Sequence, residues 1–317
     1  MSDGPIVVLD DFAHAYGPVE AVRGVSLAVQ RGEMFGLIGP DGAGKSTTLR
    51  ALAGLVTAAA GAVRTCGLDP GRERKALSRR IGYLAQRFSL YGDLTVEENL
   101  GFFADLQGVR EAAARCDALL DLVRLAPFRH RLADRLSGGM KQKLALACTL
   151  VHTPELILLD EPTTGVDPVS RRDFWRLLAE VRLGGTTIVL STPYLDEAER
   201  CTRVALFAHG RVLAVDAPDA LRDAAGGNWH ELIATPRRAA ESALAAAPGV
   251  HDLEAFGDRL HFRLDGPTSS VRDALAAAGI AVTELSPVRA SLEDVFLSRI
   301  RAEEATLAAH RAAPGAP

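Results

Sequence analysis

The sequence predicts an α/β protein with a helical insert, followed by a smaller α+β domain of ferredoxin-like pattern. A buried strand, a glycine-rich loop and a helix follow one another from Glu33 to Leu55, and an apolar strand ending in two carboxylates spans Leu156–Glu161. After Pro218 the predicted order is β-α-β-β-α-β, which is the ferredoxin-like pattern. We expect domains at 1–217 and 218–302, a helical insert at about 94–151, and a disordered tail at 303–317.

The elements of the first domain follow from its hydrophobic pattern. Thr95-x-x-Glu98 resembles a capping box, so a helix should begin near Val96. The predicted strands are Ile6–Leu9, Val25–Val29, Glu33–Ile38, Ile81–Leu84, Leu156–Leu159, Thr186–Ser191, Val204–Ala208 and Val212–Asp216. Besides the insert, the predicted helices are Ser46–Leu55, Arg171–Val181 and Leu195–Cys201.

The second domain is predicted from the same signals. Gly257-Asp258 is a turn pair typical of a hairpin between two strands. The predicted strands are His230–Ala234, Val250–Phe256, Arg259–Leu264 and Ile280–Leu285, and the predicted helices are Pro236–Ala247 and Val271–Ala278.

Composition excludes several classes of protein. Of the 317 residues, 48% are hydrophobic and the net charge is −4, which indicates a folded chain and disfavours binding of nucleic acid through net charge. The longest uncharged runs, Ala51–Val63 and Leu183–Leu195, are shorter than the ~18 residues of a membrane-spanning helix. We therefore expect no membrane span and, from the first residues, no signal peptide. The four cysteines form no CxxC pair, so neither a metal knuckle nor a disulfide scaffold is expected.

The strongest motif is the segment Gly39–Ser46, which matches GxxxxGK[ST] in full between a predicted strand and a predicted helix. Its glycines let backbone N–H groups point at phosphate oxygens, and the following helix directs its positive end to the same place. Lys45 should reach the β- and γ-phosphates, and the Ser46 hydroxyl should coordinate Mg²⁺.

Two carboxylates follow the apolar strand at Leu156–Leu159. Because ligands bind at the carboxyl ends of strands in open α/β sheets, Asp160 and Glu161 should lie beside the phosphate loop. Asp160 is expected to hold Mg²⁺, and Glu161 to polarise the water that attacks the γ-phosphate.

A second anion-binding helix end is predicted at Ser137-Gly138-Gly139, ahead of the apolar segment Leu144–Val151. Serine is a good N-cap, and the two glycines leave backbone N–H groups uncovered. Taken alone, this motif is equally well explained as an ordinary capped helix.

In combination, these motifs resemble the ATP-binding subunit of ABC transporters over about Leu9 to Asp216. Leu136–Gln142 is similar to the LSGGQ-type signature, with methionine in place of its glutamine. Gln86 matches the Q-loop glutamine, Tyr16 the adenine-stacking aromatic residue, and Gly165-Val166-Asp167 the D-loop. The resemblance implies a P-loop NTPase ABC cassette, with a RecA-like core and antiparallel-β and helical subdomains.

The resemblance also implies an ATPase that uses ATP and Mg²⁺. Catalytic roles would fall to Glu161, Lys45 and Gln86, and the metal would be held by Ser46, Gln86 and Asp160. The implied nucleotide-binding residues are Tyr16, Gly39, Pro40, Asp41, Gly42, Ala43, Gly44, Lys45, Ser46, Thr47, Ser137, Gly138 and Gly139.

The implied partners are a membrane permease subunit and a second ATP-binding subunit, with no nucleic acid. In the family, two copies dock head to tail, so each ATP lies between one copy's phosphate loop and the other's Ser137–Gly139 helix end. The helical insert would dock on the permease, and the Gln86–Gly92 segment would connect it to the phosphate site. The protein would lie at the cytoplasmic face of the cell membrane, bound through the permease.

Pro193 occupies the position of the family's switch histidine, and proline offers neither a side-chain donor nor a backbone N–H. Either hydrolysis proceeds slowly on Glu161 and Lys45, which we favour, or this chain is a degenerate ATP-binding half that needs a catalytic partner. Asp41 is a smaller departure, because a carboxylate near phosphates is unfavourable unless it points away or meets a cation.

Segments Thr163–Arg172, Tyr194–Arg200 and Ser291–Leu297 resemble the ATPases of ABC-2-type exporters, including the drug-efflux branch. We therefore expect export of a drug-like or lipophilic substrate. The main alternative is an importer ATPase whose C-terminal domain senses a nutrient. A soluble ABC ATPase of translation or repair is disfavoured by the single cassette without heptads, and a P-loop kinase or GTPase by the signature motif.

Overall fold

The computed structural model describes residues 4–86 and 90–312, with side chains described up to residue 306. The chain divides into two compact units, Met1–Val215 and Asp216–Pro317. Across these described ranges, no helix is both long enough and apolar enough to cross a membrane.

A six-stranded sheet forms the centre of the first unit, in the spatial order β5-β6-β7-β3-β8-β9. Its strands are β3 (Met34–Ile38), β5 (Ile81–Leu84), β6 (Leu156–Asp160), β7 (Thr187–Thr192), β8 (Arg203–Ala208) and β9 (Arg211–Asp216). Every residue of β3, β6 and β7 is buried, as expected for parallel strands covered on both faces. The pairing of β7 with both neighbours places Ser191 beside Asp160 on one side and Leu37 on the other.

A three-stranded antiparallel sheet has the order β2-β1-β4, with β1 at Val7–Tyr16, β2 at Val19–Val29 and β4 at Ala60–Thr65. The predicted strands covered only one end of β1 and one end of β2, and β4 was not predicted. The segment Ala60–Thr65 contains little apolar alternation, and its residues pair with β1 through the backbone. Tertiary pairing therefore decides its conformation rather than its own pattern.

The first unit contains seven α-helices among its described residues, and three of them form the helical insert. Thr95 caps α3 in a capping box with Glu98, which confirms that prediction. Asp167 caps α6 by accepting bonds from the backbone of Val169 and Ser170. The helices are α1 (Lys45–Leu52), α2 (Arg74–Leu77), α3 (Val96–Gln107), α4 (Ala112–Leu122), α5 (Gly138–Leu150), α6 (Pro168–Leu183) and α7 (Leu195–Ala198).

The second unit contains a four-stranded antiparallel sheet of order β11-β12-β10-β13, with helices packed against it. Its order in the chain and in the sheet confirms the ferredoxin-like fold, and its core includes Leu232, Leu244 and Phe262. The strands are β10 (Asn228–Thr235), β11 (Val250–Phe256), β12 (Arg259–Leu264) and β13 (Ala281–Pro287). The helices are α8 (Pro218–Ala224), α9 (Arg237–Ala245), α10 (Thr268–Ala277) and α11 (Leu292–Ala312).

Helix α11 corrects the predicted disordered tail at 303–317. The helix continues through that region to Ala312, and residues 313–317 lie outside the described part of the chain. Alanine has the highest helix propensity, so the alanine-rich segment after Glu303 favours a helix.

The four cysteines are free and buried. Burial raises the pKa of the Cys66 thiol to about 11 and that of the Cys201 thiol to about 12. It also raises the pKa of Cys116 and of Cys148. All four thiols are therefore protonated at neutral pH, where an unperturbed cysteine is already partly ionised.

Candidate functional site

The glycine-rich loop runs from the end of β3 into α1 and is shaped by close backbone contacts. A Cβ atom on Gly39 would lie 2.1 Å from the carbonyl oxygen of Phe207 in β8, so any larger residue at position 39 would clash with β8. Gly44 has φ +102°, and a Cβ there would lie 2.6 Å from the carbonyl oxygen of Ala21. Glycine is thus required both for the turn and for its packing on the two sheets.

Lys45 begins α1 and is bent back over the loop. Its Nζ donates to the carbonyl oxygens of Gly39 at 2.7 Å and of Pro40 at 2.8 Å. Burial lowers the pKa of Lys45, and the negative charges of Glu161, Asp41 and Asp160 act in the opposite direction. Asp41 thus has a cation nearby, which answers the electrostatic objection to a carboxylate in this loop.

Three hydroxyl and carboxylate groups meet where β6 and β7 end. Ser46 Oγ donates to Asp160 Oδ1 at 2.8 Å, and Ser191 Oγ donates to the same oxygen at 2.7 Å. This corner brings together a serine of the phosphate loop, the buried acid of β6 and a serine of β7.

Glu161 follows Asp160 with φ +48°, a left-handed conformation that is strained for a residue other than glycine. Its backbone N–H donates to Ser191 Oγ at 3.0 Å. Its carboxylate oxygen Oε2 accepts bonds from Gln86 Nε2 at 2.8 Å and from Thr164 Oγ1 at 3.2 Å. Three neighbouring side chains therefore fix both the backbone and the carboxylate of Glu161.

A cavity of about 500 Å³ opens over the loop. It is lined by Val19, Glu20, Ala21, Asp41, Gly42, Ala43, Gly44, Lys45, Ser46, Thr47, Gln86 and Glu161. Oxygen ligands from Ser46 and Asp160 suit Mg²⁺, and the amino end of α1 with Lys45 suits a phosphate chain. The residues present therefore fit a magnesium-bound nucleoside triphosphate.

Tyr16 and the Ser137–Gly139 segment are not among the residues that line this cavity. Tyr16 lies at the exposed end of β1, with its ring 4.6 Å from that of His14, and a hydrogen bond with its hydroxyl is the main cause of the raised pKa of Arg50. Ser137 caps α5 by accepting a bond from the backbone of Met140 at 3.3 Å. Within one copy of the chain, the loop and the second helix end are thus separate features.

Comparison with known proteins agrees with this geometry. A family model described as "ABC transporter" matches residues 22–164, and one described as the C-terminal domain of DrrA1-3-like ATP-binding proteins matches residues 217–300. Daunorubicin resistance ATP-binding protein DrrA2 of Streptomyces coeruleorubidus is 35% identical over 305 residues, covering 93% of this chain and 95% of that protein. The chain belongs to the ATP-binding proteins of ABC transporters.

Within that family, its second family match and this relative place it beside the DrrA-type ATP-binding proteins. "Probable multidrug ABC transporter ATP-binding protein YbhF" of Escherichia coli is 42% identical over 284 residues, which are 87% of this chain but only 48% of YbhF. The chain thus spans about half the length of that relative. Among solved structures, a dimeric post-hydrolysis state of the ATP-binding cassette MJ0796 bound to ADP and Pi has a TM-score of 0.61 at 26% identity, covering 67% of this chain and 98% of that one.

This ABC ATP-binding protein carries Pro193 directly after β7, next to Thr192. The Thr192 hydroxyl accepts a bond from the backbone of Tyr194 at 3.1 Å, which begins the turn into α7. No histidine is among the described residues that line the cavity. This segment therefore contributes no imidazole to the cavity, whereas the family motif would supply one from its switch histidine.

Sequence reasoning missed Ser191 and Thr164, which hold Asp160 and Glu161 in place. The available signal for Ser191 was a polar residue at the carboxyl end of an apolar strand, the same signal that singled out Asp160. The part of the Gln86–Gly92 connection at residues 87–89 lies outside the described residues, so its predicted link to the helical insert stays a prediction.

Proposed function

We propose that two copies of this ATP-binding fold bind two ATP between them, hydrolyse them, and power export of a drug-like or lipophilic substrate through a separate membrane permease. The observation that supports this best is the cavity in which Lys45, Ser46, Gln86 and Glu161 meet around the phosphate loop. The relatives named for multidrug and daunorubicin resistance support the direction of transport and the class of substrate.

The phosphate loop would bind the triphosphate through its backbone N–H groups and Lys45. Binding moves the Lys45 ammonium from neutral carbonyl oxygens to charged phosphate oxygens, and charge-assisted hydrogen bonds are stronger. Ser46, Asp160 and Gln86 would hold Mg²⁺, which supplies charge neutralisation at the phosphates. Tyr16 would stack on adenine from the end of β1.

Glu161 would accept the proton of the attacking water. A general base must be held within hydrogen-bonding reach of that water, and the bonds from Gln86, Thr164 and Ser191 restrict where its carboxylate can lie. Gln86 contacts the base directly and would also be a ligand of the metal, so its displacement would remove one of the three bonds that hold Glu161.

The separation of the two anion-binding helix ends supports a dimer. Ser137, Gly138 and Gly139 do not line the cavity of their own chain, so they would contact the ATP of the second copy. The dimeric state of the cassette MJ0796 supports this arrangement. The permease would hold the dimer at the cytoplasmic face of the membrane.

Pro193 supports a second candidate, a degenerate site that binds ATP and relies on a catalytic partner. Proline cannot donate a hydrogen bond to the γ-phosphate or orient the water. We favour slow hydrolysis, because the bonds around Glu161 are complete without a group from position 193.

Phosphate release with Mg-ATP separates these candidates when the wild type is compared with Glu161→Gln and Pro193→His, with nucleotide binding measured in parallel. We expect wild-type turnover, a Glu161→Gln variant that binds ATP without turnover, and a faster Pro193→His variant. If the wild type binds ATP without releasing phosphate and Pro193→His releases it, the chain is a degenerate ATP-binding half. Turnover by Glu161→Gln at the wild-type rate would exclude Glu161 as the base.

A further inference from the structure

Glu197 is a buried carboxylate that the proposed mechanism does not use. It lies in α7 and is 0% exposed to solvent. Its Oε1 accepts hydrogen bonds from the Thr163 hydroxyl and, at 3.2 Å, from the indole Nε1 of Trp175. Burying a carboxylate costs free energy unless the group is paired and hydrogen-bonded.

The partners of Glu197 belong to segments that border the site. Thr163 lies within the turn that follows Glu161, which is closed by a backbone bond from Thr164 N–H to the Glu161 carbonyl. Glu197 itself follows Pro193, and Trp175 belongs to α6. One carboxylate thus joins the segment after β6, the segment after β7 and α6.

Arg171 extends this network towards Tyr194. Its guanidinium lies 4.6 Å from the centre of the Tyr194 ring, and its Nε lies 3.8 Å from Glu197 Oε1. Among the described residues, neither Arg171 Nε nor Glu197 Oε2 has a hydrogen-bond partner, although both atoms are buried. Unsatisfied buried polar atoms are rare in folded proteins, and this pair could bond directly after a small shift.

We propose that Glu197 is a positioning residue for hydrolysis that acts through Thr163. The left-handed backbone at Glu161 is strained and must be held from both sides. On the N-terminal side, Ser191 accepts a hydrogen bond from the Glu161 backbone N–H. On the C-terminal side, the Thr163–Glu197 bond anchors the turn. This inference rests on the proposed role of Glu161 as the base.

The network should affect turnover and leave nucleotide binding unchanged. Neither Thr163 nor Glu197 lines the cavity. The phosphate loop lies between β3 and α1, which are not part of this network. Loosening the turn would spread the positions of the Glu161 carboxylate without altering Lys45 or Ser46. We therefore expect kcat to fall by about tenfold at an unchanged KM for Mg-ATP, the signature of lost positioning.

The test compares Glu197→Gln, Thr163→Val, Thr163→Ser and the double variant Glu197→Gln/Thr163→Val in the full chain. Glu33→Gln is the matched control, because Glu33 is also buried and paired with an arginine, but at the opposite end of β3. Steady-state kcat and KM, the Kd of a fluorescent ATP analogue, and the melting temperature are measured for each variant.

We expect Glu197→Gln and Thr163→Val to lose turnover with unchanged nucleotide affinity, and the double variant to be no slower than the slower single variant. Thr163→Ser, which keeps the hydroxyl, and Glu33→Gln should stay within about twofold of the wild type. If Glu197→Gln does not fold, the turnover of Thr163→Val compared with that of Thr163→Ser tests the proposal alone.

Equal turnover in Thr163→Val and Thr163→Ser, or a loss of affinity that parallels the loss of kcat, would overturn the proposal. The Glu161→Gln variant separates this result from the proposed function. If Glu161→Gln is inactive while the Glu197 and Thr163 variants are fully active, the base assignment stands and only the positioning role fails. If Glu161→Gln is active, the role of Glu161 itself fails.

Discussion

Adjacent glycines at the start of α5 have different surroundings. A Cβ atom on Gly139 would lie 2.3 Å from Ser170 Oγ and 2.5 Å from Ser170 Cβ, whereas a Cβ on Gly138 would meet nothing within 4 Å. Gly139 is therefore needed for the packing of α5 against α6 within the chain. Gly138 is free of that constraint and can serve a contact outside it.

Gly139→Ala should lower the free energy of unfolding by about 1–3 kcal/mol, because the added methyl group overpacks the contact with Ser170. Gly138→Ala is the matched control and should leave stability unchanged or slightly higher, since alanine favours a helix. Urea unfolding monitored by circular dichroism measures both. Equal stability of the two variants would show that the helices separate to admit the methyl group.

The role of a single residue in the site could be predicted from the sequence only where a motif fixed the residues around it. Lys45, Ser46 and Asp160 were predicted because a glycine-rich loop and an apolar strand leave little choice of geometry. Ser191 lies 31 residues from Asp160, and Glu197 lies 34 residues from Thr163. Each pair meets only through strand register or the placement of α7. Their types alone, a serine, a threonine and a glutamate, are common on any surface.

At the scale of elements, an ion-pair cluster links the loops that precede three strands. Glu155, just before β6, pairs with Arg80 at 2.6 Å and with Arg31 at 2.9 Å. The hydrogen bonds from Arg80 are the main cause of the lowered pKa of Glu155. The cluster thereby ties the amino ends of β3, β5 and β6 together, opposite the end that carries the cavity.

Glu155→Gln should destabilise the protein at pH 7, and the deficit should shrink in acid. A lowered pKa in the folded state stabilises the fold above the usual glutamate pKa of about 4.3, and this contribution is lost as pH falls through the folded-state pKa. Urea unfolding at pH 7 and at pH values below about 4 measures the difference. Glu180→Gln, at an exposed position of α6 away from the cluster, is the control and should leave the stability at pH 7 unchanged. A constant deficit across pH would contradict the assignment.

Elements were predictable where burial on both faces produced a continuous apolar run, as in β3 and β6. The ends of β1 and β2 and the whole of β4 were not, because their register includes bulges and their residues are half-exposed. Helix α8 was missed for a related reason: it is short, and only Pro218 and Leu221 are buried.

At the scale of the whole molecule, the proposed dimer predicts a change of mass with nucleotide. Glu161→Gln should form a dimer in Mg-ATP and remain a monomer without it, because ATP would join two chains and would not be consumed. Size-exclusion chromatography with light scattering measures the mass. Glu161→Gln/Gly138→Asp should bind ATP and stay monomeric, since the new carboxylate has room within its own chain but would repel the partner's phosphates. A dimer of the double variant would contradict contact in trans.

The buried cysteines have a practical consequence for watching such an assembly. Maleimides react with exposed thiolates, and the four native thiols are buried with raised pKa values. A cysteine introduced at Leu183, which is 79% exposed at the end of α6, would therefore take up a spin label while the native residues stay unmodified. Distances between two labelled copies could then be followed through a catalytic cycle in an otherwise natural chain.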